Sequence, residues 1–400
     1  MAPRLSALIL AAGLSSRMGE LKALLPLNGR TMLGQGVALF SAFGVDDIVV
    51  VTGHRAGEIG AAATEAGARL AHNPDHAAGM YGSIRTGAAA LAGRCDGFFL
   101  LPVDMPLVRC GTVRLLAASF AGQPALACCP VFAGRRGHPP LIHADLIASI
   151  LAQEHPEGGM RGLLAQIEAV RPDQVREVPV ADAHIHLDLD TPEAYRDGCA
   201  RFASRGIPTM AECMTILEHL HPMPGKGLAH GRAVAGVAAA IAEAMNRHGG
   251  RTLDVELCRV GGWLHDIAKG QPRHEAEGEC WLRKLGFERA AAIVGVHKDL
   301  PWRPGMEPGE REIVFLADKL VRGSRLVAIE ARFAEKLSLF RHEPEAVRAI
   351  ERRWQQAEQL AAALEAAMGQ PLAGVATTAD GVGRDGIGAD GIGAGGTCGG

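Results

Sequence analysis

The sequence predicts an α/β domain with a mostly parallel sheet, followed by an all-α domain. From residue 5 to about residue 200, short β-rich runs alternate with stretches whose apolar residues recur at helical spacing. After a Gly/Pro turn at 205–208 the strand pattern nearly disappears, and helical periodicity continues to about residue 369. A chain of 400 residues also exceeds the usual size of one compact domain. We therefore expect domains at 1–205 and 209–370 and a separate tail at 371–400.

Five strands are predicted in the first domain. Strands that alternate with helices form βαβ units, which build a Rossmann-like, mostly parallel sheet with helices on both faces. Ligands of such sheets bind beyond the carboxyl ends of the strands. We therefore look for chemistry in the loops after Leu10, Thr52 and Val103. The predicted strands are 6–10, 47–52, 97–103, 125–131 and 175–180.

Helices dominate the predicted second domain, and a tail of different composition follows it. The tail consists mainly of Gly, Ala, Asp and Thr, a composition that cannot bury a core, so it is predicted to be disordered. An Asp-Gly pair recurs in the tail every five residues, at Asp380, Asp385 and Asp390. This spacing does not fit the nine-residue unit of calcium-binding repeats. The predicted helices are 209–219, 230–247, 255–267, 275–285, 287–297, 308–320 and 344–367.

Charge and composition exclude several classes of partner. The net charge is -3 and the basic residues are scattered, so we expect no binding to nucleic acid or to an anionic membrane. No apolar run approaches the roughly 20 residues that cross a bilayer, and the first residues lack a signal-peptide layout. The nine cysteines show no CxxC spacing, which argues against disulfides and a zinc ribbon. A cytoplasmic protein is expected.

A loop rich in small residues follows the first predicted strand. It contains Gly13, Gly19 and two basic residues, Arg17 and Lys22. Small residues allow backbone N–H groups to approach phosphate oxygens, and the basic side chains supply charge for phosphoryl chemistry. The loop matches neither GxxxxGK[ST] nor GxGxxG. From the spacing alone, a phosphate site and a plain strand-to-helix turn are both open.

The segment 8–33 resembles the opening signature of the MobA-like nucleotidyltransferases, particularly the molybdenum cofactor cytidylyltransferases. The resemblance continues in order through 51–54, 73–83, 101–106, 134–139 and 187–193, and covers roughly the first 200 residues. It implies that Asp104 and Asp190 bind Mg²⁺, a hard cation that takes oxygen ligands. It also implies catalytic roles for Arg17, Lys22 and Asp104, and nucleotide binding by Leu10, Ala11, Ala12, Gly13, Lys22, Asn73 and Ser83.

One departure from the family bears on the choice of base. The guanylyltransferase branch usually has an Asp directly before the loop lysine, whereas this chain has Leu21. The resemblance therefore favours CTP as the nucleotide and molybdenum cofactor as the phosphorylated acceptor, with pyrophosphate as the second product. A sugar or polyol phosphate remains the alternative acceptor.

Histidines in the first domain allow further interpretations. His184 and His186 would lie on one face of a strand predicted over 182–190, where an HxH pair can bind a metal. Since the residues after it match the transferase pattern, the metal-pair interpretation is the weaker one. His54 and His138 fall in loops at the ligand-binding edge, where they either touch substrate or are plain surface residues.

In the second domain, His230 opens one helix, the pair His265 and Asp266 ends another, and Asp318 lies in a third. Imidazoles and carboxylates from separate helices can converge on one divalent metal. This ordered set resembles the HD-domain metal phosphohydrolases over about 209–367. The resemblance implies that these four residues bind Mn²⁺, Fe²⁺ or a similar metal. His274 and His297 stand where two-metal members have further ligands; in a one-metal site they would instead contact phosphate or be plain surface residues. Lys269 is expected to meet a substrate phosphate.

Together the two halves suggest a fused enzyme. The first half would attach a nucleotide to molybdenum cofactor, and the second would hydrolyse a phosphate ester. Proteins of molybdenum enzyme maturation are then possible partners. The competing hypothesis from another class is a maturation or binding protein with a degenerate site, but Arg17, Lys22, Asp104 and Asp190 are all present.

Overall fold

The computed structural model describes residues 2–14, 18–123, 125–154, 157–296 and 300–382. The chain divides into two compact units. Unit 1 comprises Met1–Pro222 together with Glu279–Ala291, and unit 2 comprises Met223–Gly278 and Ala292–Gly400. None of the helices in these described ranges is long and apolar enough to cross a membrane.

Unit 1 is built on an eight-stranded, mostly parallel sheet in the order β10-β7-β9-β6-β1-β4-β5, with β8 paired to β7. The pairs of β1 with β4 and β6, of β4 with β5 and of β7 with β10 are parallel, and only β8 and β9 run antiparallel. Strands β2 and β3 form a separate hairpin. The strands are β1 Leu5–Leu10, β2 Pro26–Leu27, β3 Arg30–Thr31, β4 Asp47–Thr52, β5 Arg69–His72, β6 Gly97–Pro102, β7 Ala127–Phe132, β8 Arg135–Arg136, β9 Leu141–His143 and β10 Val175–Pro179.

Helices cover both faces of this sheet. Successive strand side chains point to opposite faces, so Ile9 packs in one apolar cluster with residues of α1 and α4. Its neighbour Leu8 packs in the other cluster, with residues of α3 and α5. The helices of unit 1 are α1 Met32–Phe43, α2 Ala56–Glu65, α3 Met80–Leu91, α4 Cys110–Gly122, α5 Leu146–Ala152, α6 Gly159–Val170, α7 Pro192–Ser204 and α8 Met210–Thr215, and a π-helical turn, Ile216–Leu220, extends α8.

Unit 2 contains helices around the long, largely buried helix α9. The side of α9 that faces α10 carries Ala235, which lies against Gly262 of α10. Helices α10, α13, α15 and α16 all contact α9. The elements of unit 2 are α9 Gly225–His248, α10 Val255–Leu264, α13 Glu310–Leu320, α14 Ile329–Leu339, α15 Pro344–Met368 and α16 Leu372–Ala376, with the hairpin β11 Val321–Arg322 and β12 Arg325–Leu326. Two further helices, α11 His274–Leu285 and α12 Glu288–Val294, are divided between the units, because residues Glu279–Ala291 belong to unit 1.

The fold class is confirmed, and each of the five predicted strands is present within two residues of its expected bounds. The strand predicted over 182–190 is wrong. Residues Ala183–His186 form a 3-10 turn instead, because the Asp182 side chain accepts a hydrogen bond from the backbone N–H of His184 and caps it. Strands β5 and β9 were not predicted, since β5 is largely exposed and β9 has only three residues.

The boundaries differ from those expected. Residues 206–222 and 279–291 belong to unit 1, although both lie beyond the predicted end of the first domain. The tail expected from residue 371 begins with helix α16, whose Leu372 and Val375 are buried. Disorder is therefore the wrong description of its first residues, because their apolar side chains have a helical surface to pack on. Residues 383–400 lie outside the described residues.

Candidate active sites

Lys22, Asp104 and Asp190 meet at the carboxyl edge of the unit 1 sheet. Lys22 begins the 3-10 turn Lys22–Leu24, and Asp104 follows the end of β6 by two residues. The Lys22 ammonium donates to Asp104 Oδ2 at 2.8 Å and also to Asp190 Oδ1. All three side chains are largely buried, with exposures between 16% and 27%. Three residues separated by up to 168 positions thus form one charged cluster.

The electrostatics of this cluster keep the ammonium of Lys22 charged. Burial lowers the pKa of Lys22, but hydrogen bonds to Asp104 and Asp190 outweigh it, so the pKa is raised. Burial raises the pKa of Asp104, with Lys22 opposing the shift and the Asp190 carboxylate adding to it. Asp104 and Asp190 thus bring two carboxylate groups to one place. Their oxygens are the ligands that Mg²⁺ prefers, so the residues fit the expected metal.

Asp190 is positioned by the chain on both sides of it. The backbone N–H of Leu189 donates to the carbonyl of Asp104 at 2.8 Å, which holds the two aspartate segments side by side. The Leu189 side chain is fully buried and packs closely against Gly198 of α7, where an added Cβ would approach it within 2.7 Å. Thr191 then caps the N-terminus of α7. The site aspartate is therefore fixed by packing that no local sequence pattern reveals.

The predicted nucleotide loop starts at the end of β1. Ala11 N–H donates to the carbonyl of Val51, and the carbonyl of Ala12 accepts from the N–H of His54. The loop backbone is thus held between neighbouring strand ends. A Cβ added at Gly13 would meet none of the described residues within 4 Å. Arg17, the predicted basic partner in the loop, lies outside the described residues.

Asn73 and Ser83 lie together but are occupied with each other. Asn73 Nδ2 donates to Ser83 Oγ at 3.0 Å, and Asn73 Oδ1 accepts from the N–H of Asp75. Both side chains are buried. Their expected contact with nucleotide stays a prediction, and their observed role is to link β5 to the start of α3.

A cavity of about 780 Å³ lies beside the ends of β1 and β6. Its volume falls in the range of about 300–1,000 Å³ typical of small-molecule sites. Arg136 is neutralised by Glu168 and Glu177, while burial lowers the pKa of His138 and keeps that ring neutral. Among its lining residues, the sequence analysis named Leu10 and His138 individually, and several others lie in the motifs at 73–83, 101–106 and 134–139. Lining residues include Leu10, Tyr81, Arg135, Arg136, His138 and Arg161.

The HxH pair of unit 1 does not form a metal site. His184 hydrogen-bonds to Asp182 at 3.2 Å, whereas His186 Nε2 contacts the carbonyl of Arg135. Asp182, His184 and Glu212 do lie close enough to hold an ion. However, Arg109 Nη1 donates to Asp182 at 2.8 Å and to Glu212 at 2.6 Å, so a buried guanidinium already neutralises these carboxylates. The cluster of Asp182, His184 and Glu212 is therefore a structural network. The two histidines of the HxH pair, His184 and His186, have separate partners.

In unit 2 the predicted histidines and aspartates converge. His230 Nε2 lies 3.2 Å from Asp318 Oδ1, and His265 Nε2 lies 3.7 Å from the same oxygen. His265 Nε2 is also 3.5 Å from Asp266 Oδ2. These residues come from α9, the end of α10 and α13, which meet because small residues allow the helices to approach closely. The four donor groups suit a divalent transition metal.

Backbone carbonyls orient the two rings. His265 Nδ1 donates to the carbonyl of Gly262 at 2.8 Å, and His230 Nδ1 donates to the carbonyl of Gly323 at 3.0 Å. Because a carbonyl only accepts, each Nδ1 carries the proton, which leaves the lone pair of each Nε2 for a metal bound beside the aspartates. Burial lowers the pKa of His265, so its ring stays neutral, as a metal ligand must be. Burial opposes the ionisation of Asp318, but the charge of Lys319 outweighs it and holds the pKa of that carboxyl well below its usual range.

The other predicted residues lie at the edge of this cluster. Lys269 Nζ contacts Asp266 Oδ2 at 2.5 Å, and its side chain is 68% exposed. His274 Nε2 lies 3.9 Å from Asp266 Oδ1. His297 lies outside the described residues. Whether one or two metals bind therefore stays open to experiment.

Sequence reasoning missed four basic residues around the same cluster. Lys319, Arg332, Lys336 and Arg353 line a cavity of about 220 Å³ that also borders Asp266 and Asp318. Lys319 was detectable as the neighbour of Asp318. Arg332 and Lys336 lie on α14, a helix that the sequence pattern did not predict, so their approach to the aspartates had no local signal.

These observations define a class of protein. A parallel α/β sheet with an ammonium-bridged aspartate pair at its carboxyl edge is typical of a nucleotide-handling transferase domain, and the buried His/Asp cluster is typical of a helical metal-binding domain. The family model of the MobA-like NTP transferase domain matches residues 7–171, and the family model of the HD domain matches residues 227–323. The chain belongs to the MobA-like NTP transferase family and carries an HD domain in its second half.

Relatives cover the first half of the chain. The molybdenum cofactor cytidylyltransferase of Escherichia coli (strain K12) is 30% identical over 189 residues, which span 47% of this chain and 92% of the relative. Nicotine blue oxidoreductase of Paenarthrobacter nicotinovorans is 31% identical over 197 residues, or 48% of this chain and 94% of that protein. A solved nucleotidyl transferase from Methanothermobacter thermautotroptrophicus is 25% identical, covers 50% of this chain and 97% of its own, and gives a TM-score of 0.43. Relatives with different named activities share the domain, so the site must decide the reaction.

Proposed function

We propose that unit 1 transfers CMP from CTP to a phosphorylated acceptor, molybdenum cofactor, and releases pyrophosphate. The observation that carries the proposal is the cluster of Lys22 with Asp104 and Asp190 at the ligand-binding edge of the sheet. Its carboxylate oxygens suit magnesium, and its ammonium suits a phosphate. The 30% identity to a molybdenum cofactor cytidylyltransferase supports the choice of acceptor.

Each part of the site has a task in this reaction. Magnesium held by Asp104 and Asp190 would supply positive charge to the triphosphate. Lys22 adds a second positive charge, and the backbone of 10–13 approaches the phosphates. The cavity of about 780 Å³ has room for an acceptor next to Leu10. The acceptor phosphate itself is the nucleophile, so no covalent bond to the protein is required.

CTP is favoured over GTP by the residue before the loop lysine. Leu21 is 7% exposed and packs in the apolar core of unit 1. No carboxylate is present at this position, in contrast to the guanylyltransferase pattern.

The oxidoreductase relative supports a second candidate, a hydride-transferring enzyme on the same sheet. That reaction does not require an ammonium between two aspartates. A sugar or polyol phosphate as acceptor is a third candidate, and it uses the same cluster.

The transferase test uses the full chain with Mg²⁺, molybdenum cofactor and each of CTP, GTP, ATP and UTP. Excess added pyrophosphatase converts any pyrophosphate to phosphate, so the readout does not depend on unit 2. We expect phosphate release and a CMP adduct with CTP alone. Turnover with GTP would show that the protein is a guanylyltransferase and not a cytidylyltransferase. If the chain oxidises NADPH with a flavin-like or dye acceptor and does not turn over any nucleotide, the transferase function is wrong and the oxidoreductase function is supported.

For unit 2 we propose a metal-dependent phosphohydrolase. The supporting geometry is the meeting of His230, His265, Asp266 and Asp318. A bound divalent metal would lower the pKa of a water molecule and make it a nucleophile. With Mn²⁺ and p-nitrophenyl phosphate, Asp266→Ala should remove phosphatase activity, while Asp104→Ala should leave it unchanged. Loss of phosphatase activity in Asp104→Ala would contradict two independent sites.

A further inference from the structure

The small cavity beside the His/Asp cluster of unit 2 carries a large surplus of positive charge. Among the described residues that line it, five are basic and only Asp266 and Asp318 are carboxylates. The basic residues come from the end of α10, from α13, α14 and α15. They are Lys269, Lys319, Arg332, Lys336 and Arg353.

Two of these cations contact the same carboxylate, that of Asp318. Lys319 Nζ contacts Asp318 Oδ2 at 2.6 Å, and Arg332 Nη2 reaches Asp318 Oδ1 only at 3.5 Å. Arg332 Nε is buried, and no described residue accepts a hydrogen bond from it. Burial and the charges of Lys319, Arg332 and Arg353 lower the pKa of Lys336 to about 8. Asp318 thus contacts both Lys319 and Arg332, and the buried Nε of Arg332 still has a proton to donate. Such an environment favours a bound anion.

Size and shape limit that anion. The cavity measures about 220 Å³, below the range of about 300–1,000 Å³ of most ligand pockets. Its aromatic lining residue, Phe333, is 1% exposed and stacks on Trp354, so its ring offers little surface to a nucleobase. Ile350 is likewise buried. The lining therefore fits a compact, highly charged anion better than a nucleotide.

We propose that this cavity binds inorganic pyrophosphate and that unit 2 hydrolyses it to two phosphates. The hydrolytic step rests on the phosphohydrolase function proposed above. A water oxygen forms a bond to one phosphorus, the bridging P–O bond breaks, and each product phosphate takes one of the two protons of that water. The reaction that supplies this substrate is a nucleotidyl transfer, the class proposed for unit 1. Removal of its second product would make that transfer effectively irreversible.

Binding is tested first, without metal, because pyrophosphate chelates divalent ions. Calorimetry on the chelator-treated full chain compares pyrophosphate with phosphate, and we expect pyrophosphate to bind at least about tenfold more tightly. Arg353→Met and Lys336→Met should each weaken pyrophosphate binding by about tenfold or more. Arg352→Met is the matched control, since Arg352 is exposed on the same helix and does not line the cavity. Lys336→Arg should retain binding if a cation is what matters.

Hydrolysis is then measured on the Mn²⁺-loaded chain with pyrophosphate, p-nitrophenyl phosphate, CDP and CTP. The expected result is a clear preference for pyrophosphate that Arg353→Met removes and Arg352→Met keeps. Equal binding by Arg353→Met and Arg352→Met, or a preference for CDP or CTP, would overturn the inference. Hydrolysis of p-nitrophenyl phosphate without pyrophosphate binding would overturn it while leaving the phosphohydrolase function intact. If the chain binds pyrophosphate but hydrolyses none of these substrates, both the phosphohydrolase function and the proposed hydrolytic step are wrong.

Discussion

Lys22 shows how one residue connects the fold of unit 1 to its chemistry. Its ammonium lies between Asp104 and Asp190, where the resting cluster needs a cation and the reacting triphosphate needs one too. Under the proposed function, the same charge has two tasks, one in the stability of the site and one in the transfer step. Replacement of Lys22 by methionine tests the role of this charge, because methionine has a side chain of similar length and no charge.

We expect Lys22→Met to lower the rate of CMP transfer by on the order of 10²–10³-fold, the usual cost of losing one preorganised charge at a reacting phosphate. Total phosphate release with added pyrophosphatase measures it. Lys226→Met is the control, since Lys226 is an exposed lysine of unit 2. A loss smaller than about tenfold would mean that Lys22 is only structural.

Asp182 gives a pH-dependent prediction about stability. Burial opposes its ionisation, but Arg109 and His184 lower its pKa to about 2. An unfolded aspartate has a pKa of about 3.9, so the stabilisation is complete above pH 4 and is lost as the pH falls toward 2. Asp182→Asn should destabilise unit 1 by about 3–5 kcal/mol at pH 7, because Arg109 stays buried with fewer partners.

Urea unfolding at pH 7 and at about pH 3 measures this effect, and the difference between Asp182→Asn and the unmodified chain should shrink at the lower pH. Asp197→Asn is the comparison, because Asp197 forms an exposed pair with Arg201. That change should cost less than about 1 kcal/mol. A difference for Asp182→Asn that does not depend on pH would contradict the charge-based explanation.

At the scale of elements, the crossing of α9 and α10 shapes the metal cluster. A Cβ at Gly262 would lie 2.4 Å from the Cα of Ala235, so the two helix backbones touch there. His265 follows Gly262 by one helical turn and bonds to its carbonyl. Separation of the helices would therefore move a predicted metal ligand.

Gly262→Ala should destabilise unit 2 by about 1–3 kcal/mol and reduce its bound Mn²⁺. The control is Gly225→Ala near the start of α9, where a Cβ would meet nothing within 4 Å. There the change should be neutral or stabilising by up to about 1 kcal/mol. Thermal unfolding and metal analysis measure both effects, and equal metal content in the two variants would show that this crossing does not position His265.

Elements with strong periodicity were predictable, and weakly patterned ones were not. Strands β1, β4 and β6 are buried apolar runs between turn residues, so their bounds follow from the sequence. Strand β5 is mostly exposed, and α14 buries only Phe333. Neither has an apolar face wide enough to be recognised. The 3-10 turn at Ala183–His186 was mistaken for a strand because alternating polar residues there follow a buried network and not a sheet face.

At the scale of the whole molecule, unit 1 includes chain that lies beyond the expected end of its domain. Arg109 bonds to Glu212 and stacks over the ring of Phe287 at 4.5 Å. Truncation after residue 208 removes both partners and should lower the melting temperature of unit 1. Truncation after residue 222 keeps Glu212 and should be less harmful. Differential scanning calorimetry compares them with the full chain, and identical melting would mean that these contacts add no stability.

The sequence by itself determined the two domain classes and the five central strands. Those features depend on local patterns, namely apolar runs, small-residue loops and the order of motifs. Only the tertiary structure decided that Lys22 bridges Asp104 and Asp190, that Arg109 neutralises the cluster around His184, and that α14 and α15 bring cations to Asp318. These contacts join residues far apart in the chain. They depend on how buried charges find partners during packing, and no local pattern encodes that choice.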